Sequence, residues 1–144
     1  MAMLKNTEVY DVLLKTVFGE ARGESEKGQK AVAWVIKNRA DLNRPEFGGS
    51  YIPDVCRHPM QFECWNHAGQ IDNALRTDSG KADCDAIDIW LPKVFLGTDP
   101  TGGAIYFNNP DKVGYPPWTA RLQALEKIGD HQFYKELKFL RRKQ

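Results

Sequence analysis

The sequence predicts a mainly α-helical (α+β) domain with a small β-hairpin. Three observations predict it. Apolar residues recur at helical spacing in long stretches of the first hundred residues. Two short apolar or aromatic runs, AIYF and HQFY, follow turn-rich segments later in the chain. The composition, 42% hydrophobic and 27% charged over 144 residues, is that of an ordinary globular protein. A chain of this length is expected to form one domain, 1–144, that needs no disulfide or metal to fold.

The first helix is predicted over 8–21. Thr7 can cap it, and Val9, Leu13, Val17 and Ala21 form a stripe widened by Val12, Leu14 and Phe18. Gly23 interrupts it. Ser25 can open a second helix over 26–42, with Ala31, Val32, Val35, Ile36 and Ala40 as its apolar positions. Residues 43–80 are rich in Gly, Pro, Asn and Asp. So long an irregular stretch is expected to be functional or to hold short elements of its own. A third helix fits 82–96 through Ala82, Ile87, Leu91 and Val94, with Pro92 predicting a kink or a shortened end and Gly97 a stop. After the turn DPTGG, residues 104–107 read as a strand, and 131–134 as its partner. Between them NNPDKVGYPPW reads as loop. TARLQALEKIG reads as a short helix on the spacing of Leu122, Leu125 and Ile128.

Charge excludes some functions. Twenty Lys and Arg against nineteen Asp and Glu give +1, too little for a dedicated nucleic-acid binder. The C-terminal segment 135–144, KELKFLRRKQ, is locally basic, which suits a solvated end or a foothold on an anionic polymer. No run is long and apolar enough for a membrane span, so no stable membrane insertion is expected. The N-terminal residues carry no secretory signal pattern. The odd count of three cysteines then suggests reduced thiols and synthesis in a cytoplasm. G-x-S-x-G, P-loop and G-x-G-x-x-G patterns are absent.

Several segments could carry chemistry. In FGEARGE, Glu20 falls at the C-terminal end of an apolar helix. Partial burial and the negative end of the helix dipole would both raise its pKa, as suits a general acid, while Arg22 would oppose them. Gly19 and Gly23 leave room for close approach. In QFECWNH, Gln61, Phe62, Trp65 and Asn66 combine amides with flat aromatic faces, a set that suits a sugar. So do Tyr106, Phe107, Asn108 and Asn109, and Tyr115 with Trp118. Phe62 and Trp65 read equally well as core. A competing reading takes Cys56, His58, Cys64 and His67 as zinc ligands, but the spacing C-x-H-x5-C-x2-H fits no common zinc pattern, so no metal and no cofactor are expected.

Taken in order, FGEARGES, GQKAVAWVIKNR, QFECW, DPTGGAIYFNNP and IGDHQF resemble the catalytic domain of the SleB/CwlJ cell-wall hydrolases, over about residues 10–134. The resemblance implies a lysozyme-like, mainly helical fold related to lytic transglycosylases. It implies peptidoglycan glycan strands as partner and substrate, cut between N-acetylmuramic acid and N-acetylglucosamine. It makes Glu20, the first Glu of E-A-R-G-E, the catalytic residue. Glu24, Gln61, Tyr106 and Asn108 become substrate-binding positions, beside Phe62 and Trp65; His131 would be cleft or structural. One glutamate suffices for a transglycosylase that leaves 1,6-anhydro-muramyl ends. A true hydrolase needs a second carboxylate, for which Glu24 is the nearest in sequence. A non-catalytic glycan-binding or virion protein is the reading outside enzymes. Without a signal or a wall-binding domain, the sequence is expected to be a monomeric phage-type lysin, made in the host cytoplasm and acting on the wall.

Overall fold

The structure, a computed structural model, describes residues 2–59, 62–67 and 69–137. Two capped helices form its base. Thr7 Oγ1 accepts from the Tyr10 N–H at 3.2 Å and starts α1, Glu8–Ala21. Ser25 Oγ accepts from the Gly28 N–H at 3.2 Å and starts α2, Glu26–Leu42, which Asn43 ends in a left-handed conformation. These hydroxyls satisfy amides that a helix start would otherwise leave unpaired. Leu13, Val17 and Phe18 of α1 and Val32, Val35 and Ile36 of α2 are all fully buried, so the apolar stripes meet as the core.

The irregular stretch after α2 holds short elements: a 3₁₀ turn at Pro45–Phe47, α3 at Ile52–Arg57, a second 3₁₀ turn at Glu63–Trp65 and α4 at Gln70–Leu75. Each is too short for the period to show in sequence. Helix α5, Asp78–Trp90, begins earlier than expected because Thr77 caps it, with Oγ1 accepting from the Gly80 N–H at 2.9 Å. Pro92 acts as expected. From Leu91 to Leu96 the chain tightens into a 3₁₀ helix, since proline cannot donate to the α ladder. None of the helices among the described residues is long and apolar enough to cross a membrane.

The β element has three strands, not two. Strand β1, Tyr106–Asn108, and β2, Leu122–Ile128, flank β3, His131–Glu136, in antiparallel order β1-β3-β2. Tyr106 faces Tyr134 and Asn108 faces Gln132. The expected helix over TARLQALEKIG is corrected to a 3₁₀ turn, Pro117–Arg121, followed by β2. Leu122, Leu125 and Ile128 lie on a strand whose register slips once, at a bulge between Ala124 and Lys127. An extra residue in one strand breaks its strict alternation, so the period-two signal of a strand is lost from the sequence. The expected strand at 104–107 begins its regular pairing two residues later, with Ala104 and Ile105 leading in fully buried.

A close approach of α4 to α5 gives a test of the packing. A methyl at Gly80 would overlap the Ala74 carbonyl. Gly80→Ala should gain helix propensity yet lose stability, since overpacking costs ~1–3 kcal/mol. Thermal unfolding followed by circular dichroism checks this, and a melting temperature at or above wild type contradicts the packing.

Candidate active site

Glu20 sits in the last turn of α1, facing the 62–67 segment. Its Oε2 accepts from the Cys64 backbone N–H at 3.0 Å. Gly19 makes the approach possible: a Cβ there would come within 2.6 Å of Cys64 Cβ and 3.0 Å of its Sγ. A second staple lies one turn back on α1. Trp65 Nε1 donates to Thr16 Oγ1 at 2.8 Å, and that hydroxyl donates to the Val12 carbonyl at 2.7 Å. Burial is the largest influence on the Glu20 carboxyl and raises its pKa; Glu63 also raises it, while the Cys64 N–H and thiol and the Arg39 charge pull the other way. Arg22 is not its partner. The Arg22 guanidinium lies 2.9 Å from Asp83 on α5 and stacks over the Phe18 ring at 4.9 Å.

In front of Glu20 is a cleft of about 330 Å³. The end of α1, Glu63, Cys64 and His67, the face of α4 with Gln70 and Ile71, and Lys112 line it. Glu63 is the second carboxylate of the cleft, solvated and 3.7 Å from His67.

The other sequence-predicted residues are dispersed. Glu24 is not among the residues lining this cleft. Its Oε1 accepts from the Asp130 N–H at 3.0 Å and so holds the β2–β3 turn. Phe62 is only 1% exposed and belongs to the core, tilted against Phe107 at 6.1 Å. Trp65 is half-buried, with Arg57 over its ring at 5.4 Å, and borders a smaller hollow beside His67. Tyr106 is half-buried between Phe47 and Trp118. Asn108 is buried and engaged at both ends of its amide. Nδ2 donates to the Gly114 carbonyl and Oδ1 accepts from Tyr134 Oη, each at 2.9 Å. His131 is buried between Phe107 and Phe133, its pKa lowered chiefly by burial. Gln61 lies outside the described residues, as does most of the basic segment 135–144.

The Cys56, His58, Cys64 and His67 reading meets buried thiols. Burial pushes the Cys56 thiol up to about 12 and raises Cys64 as well. Among the described residues no three His, Cys, Asp or Glu side chains converge on a point that could hold a metal ion.

Sequence reasoning missed Arg39. It is 4% exposed, its Nε donates to the Ile105 carbonyl at 2.7 Å, and its guanidinium lies within 4.9–5.4 Å of the Phe62, Phe47 and Tyr106 rings. The signal was present: Arg39 falls on the stripe of Val32, Val35 and Ile36, where a cation has no place unless it is paired.

The family model described as Cell Wall Hydrolase matches residues 23–134. The chain is 37% identical over 122 residues to a spore cortex-lytic enzyme of Bacillus subtilis, covering 85% of this chain and 36% of that protein. It is 36% identical to the spore cortex-lytic enzyme of Halalkalibacterium halodurans, again over 85% of this chain and 33% of the other. It thus spans about a third of the length of these curated relatives. The catalytic domain of the germination-specific lytic transglycosylase SleB from Bacillus anthracis superposes with a TM-score of 0.61 at 28% identity, over 92% of this chain and all of that one. The catalytic domain of Bacillus cereus SleB gives 0.59 at 30% identity, over 86% and 87%. With its helical body, three-stranded sheet and Glu20 cleft, the chain belongs to the cell wall hydrolase family.

Proposed function

We propose that this domain cuts peptidoglycan glycan strands between N-acetylmuramic acid and N-acetylglucosamine as a lytic transglycosylase, with Glu20 as its general acid and base. Glu20 lies just ahead of the stretch matched by the family model, so its own environment carries the assignment. It is a desolvated carboxyl at the edge of a cleft, with one oxygen anchored by a backbone N–H. The raised pKa keeps the proton that the leaving glycosidic oxygen needs. Once that proton is given, the Cys64 N–H steadies the carboxylate. The carboxylate then takes the proton of the muramyl C6 hydroxyl, which closes on the anomeric carbon as a 1,6-anhydro ring. That hydroxyl is held beside the reacting carbon by the sugar itself, so no water is activated.

A hydrolytic reading has one observation in its favour, Glu63 in the same cleft. Glu24 is not among the residues lining the cleft and holds the β2–β3 turn instead. The Glu63 side chain is 83% exposed, a poor setting for fixing a water against the anomeric carbon.

Glu20→Gln should fold with wild-type circular dichroism and lose ~10²–10⁴-fold in the clearing of a peptidoglycan suspension. Wild-type turnover by the folded variant refutes the assignment. Mass spectrometry of the wild-type products should show muramyl ends that are one water lighter than hydrolysis products and that resist borohydride. Reducible muramyl ends would establish hydrolysis and make Glu63 the residue to test.

Activity should fall as pH rises through the Glu20 pKa, because the reacting form is the protonated acid. Glu63→Gln removes a charge that raises that pKa, so the alkaline limb of kcat/KM should move to lower pH. An unmoved limb with kcat reduced ~10²-fold or more would instead make Glu63 a base.

A further inference from the structure

We infer that Lys112 is a substrate-binding residue that takes a carboxylate carried on the muramyl unit, so the cleft reads the charge of its glycan; this rests on the glycan-cleaving role proposed for Glu20. Lys112 lines the same cleft as Glu20. The other cations nearby are committed. Arg22 is paired with Asp83, and Arg39 is buried among three rings with its Nε on the Ile105 carbonyl. Lys112 is solvent-exposed and, among the described residues, has no acidic group within ion-pairing distance.

Its backbone is held in place. The short helix α6, Pro110–Val113, is capped by Asn109, whose Oδ1 accepts from the Asp111 and Lys112 N–H groups at 3.1 and 3.3 Å. At the far end of α6, Asn108 Nδ2 grips the Gly114 carbonyl, and Tyr134 Oη fixes Asn108 from the sheet. The loop that presents Lys112 is therefore tied to β1 and β3 at both ends. The glycan has neutral sugar rings and carries its negative charge as carboxylate, either the free lactyl group of a bare strand or the acidic groups of a stem peptide. An ammonium carried at the cleft wall is complementary to either.

The test crosses two substitutions, one in the enzyme and one in the substrate. Amidase-stripped strands, which expose the lactyl carboxylate, and intact stem-bearing strands are each used native and after carbodiimide amidation. Wild type should show KM about tenfold higher on the amidated form of whichever strand carries the recognised carboxylate, as expected for losing a hydrogen bond to a charged group. Lys112→Met should show the higher KM on both forms of that strand, and added salt should shrink the wild-type difference. A response on stripped strands identifies the lactyl carboxylate, and one on stem-bearing strands alone the peptide. Asn108→Ala keeps the charge but frees the loop and should raise KM on native strands toward the Lys112→Met value. An equal KM ratio between native and amidated strands in wild type and Lys112→Met overturns the inference. A wild-type protein that releases no muropeptides from any strand overturns the underlying glycan-cleaving role instead.

Discussion

The site depends on one contact, the backbone N–H of Cys64 donating to Glu20. It exists only because α1 carries a glycine where the 62–67 segment crosses it. The same crossing does two things to the acid. It covers the carboxyl, which raises the pKa, and it supplies one donor, which keeps the anion tolerable. A carboxyl with burial alone would hold its proton too tightly to return as a base. One with several donors would lose it too early. The Trp65–Thr16–Val12 chain fixes the segment from the other side, so the donor is tied to α1 at two places one turn apart.

Arg39 joins the helical body to the sheet. A buried charge is costly unless its donors are used, and here Ile105, the residue leading into β1, takes one of them while three aromatic faces enclose the cation. Burial lowers its pKa to about 10, which still leaves it charged at neutral pH, and Glu20 feels that charge. Arg44 repeats the connection at the sheet's far end, 2.7 Å from Glu136 with both side chains largely buried. Helix α2 thus anchors the sheet through its cation near the core and through the cation just past its end.

Most of the helical frame was legible in the sequence because its signals are local. Thr7 and Ser25 cap where they were expected to, the stripes of α1 and α2 are buried, and Pro92 changes the helix type. β2 was misread because the bulge after Ala124 breaks the alternation that marks a strand, while its apolar residues fall three apart. Glu20 could be singled out because a helix end and its apolar neighbours are adjacent in sequence. Its true neighbours could not. Arg22 looks like its partner from two positions away, yet turns to Asp83 on α5. Phe62 and Asn108 carry residue types that suit a sugar, but burial and hydrogen bonding commit them to the protein. Residue type reveals what a side chain is able to do, and only the tertiary contacts decide whether it is already occupied.

The two glutamates of EARGE divide the work accordingly. They lie four positions apart, and Gly23 stands in open space between them rather than against a neighbour. The chain leaves helix there, so the second carboxylate diverges from the first. Glu24 reaches the β2–β3 turn, where Gly129 has a left-handed φ of 59° and its missing Cβ leaves room for the carboxylate that accepts from Asp130. That turn starts β3, and β3 supplies Tyr134, which fixes Asn108 and so the loop carrying Lys112. One short motif thus provides the proposed acid with one glutamate and, through the β2–β3 turn, supports the loop that carries Lys112 with the other. A carboxylate near the proposed acid in sequence is therefore no guide to which carboxylate shares its cleft. Glu63, distant in sequence and absent from that motif, is the one that shares the cleft.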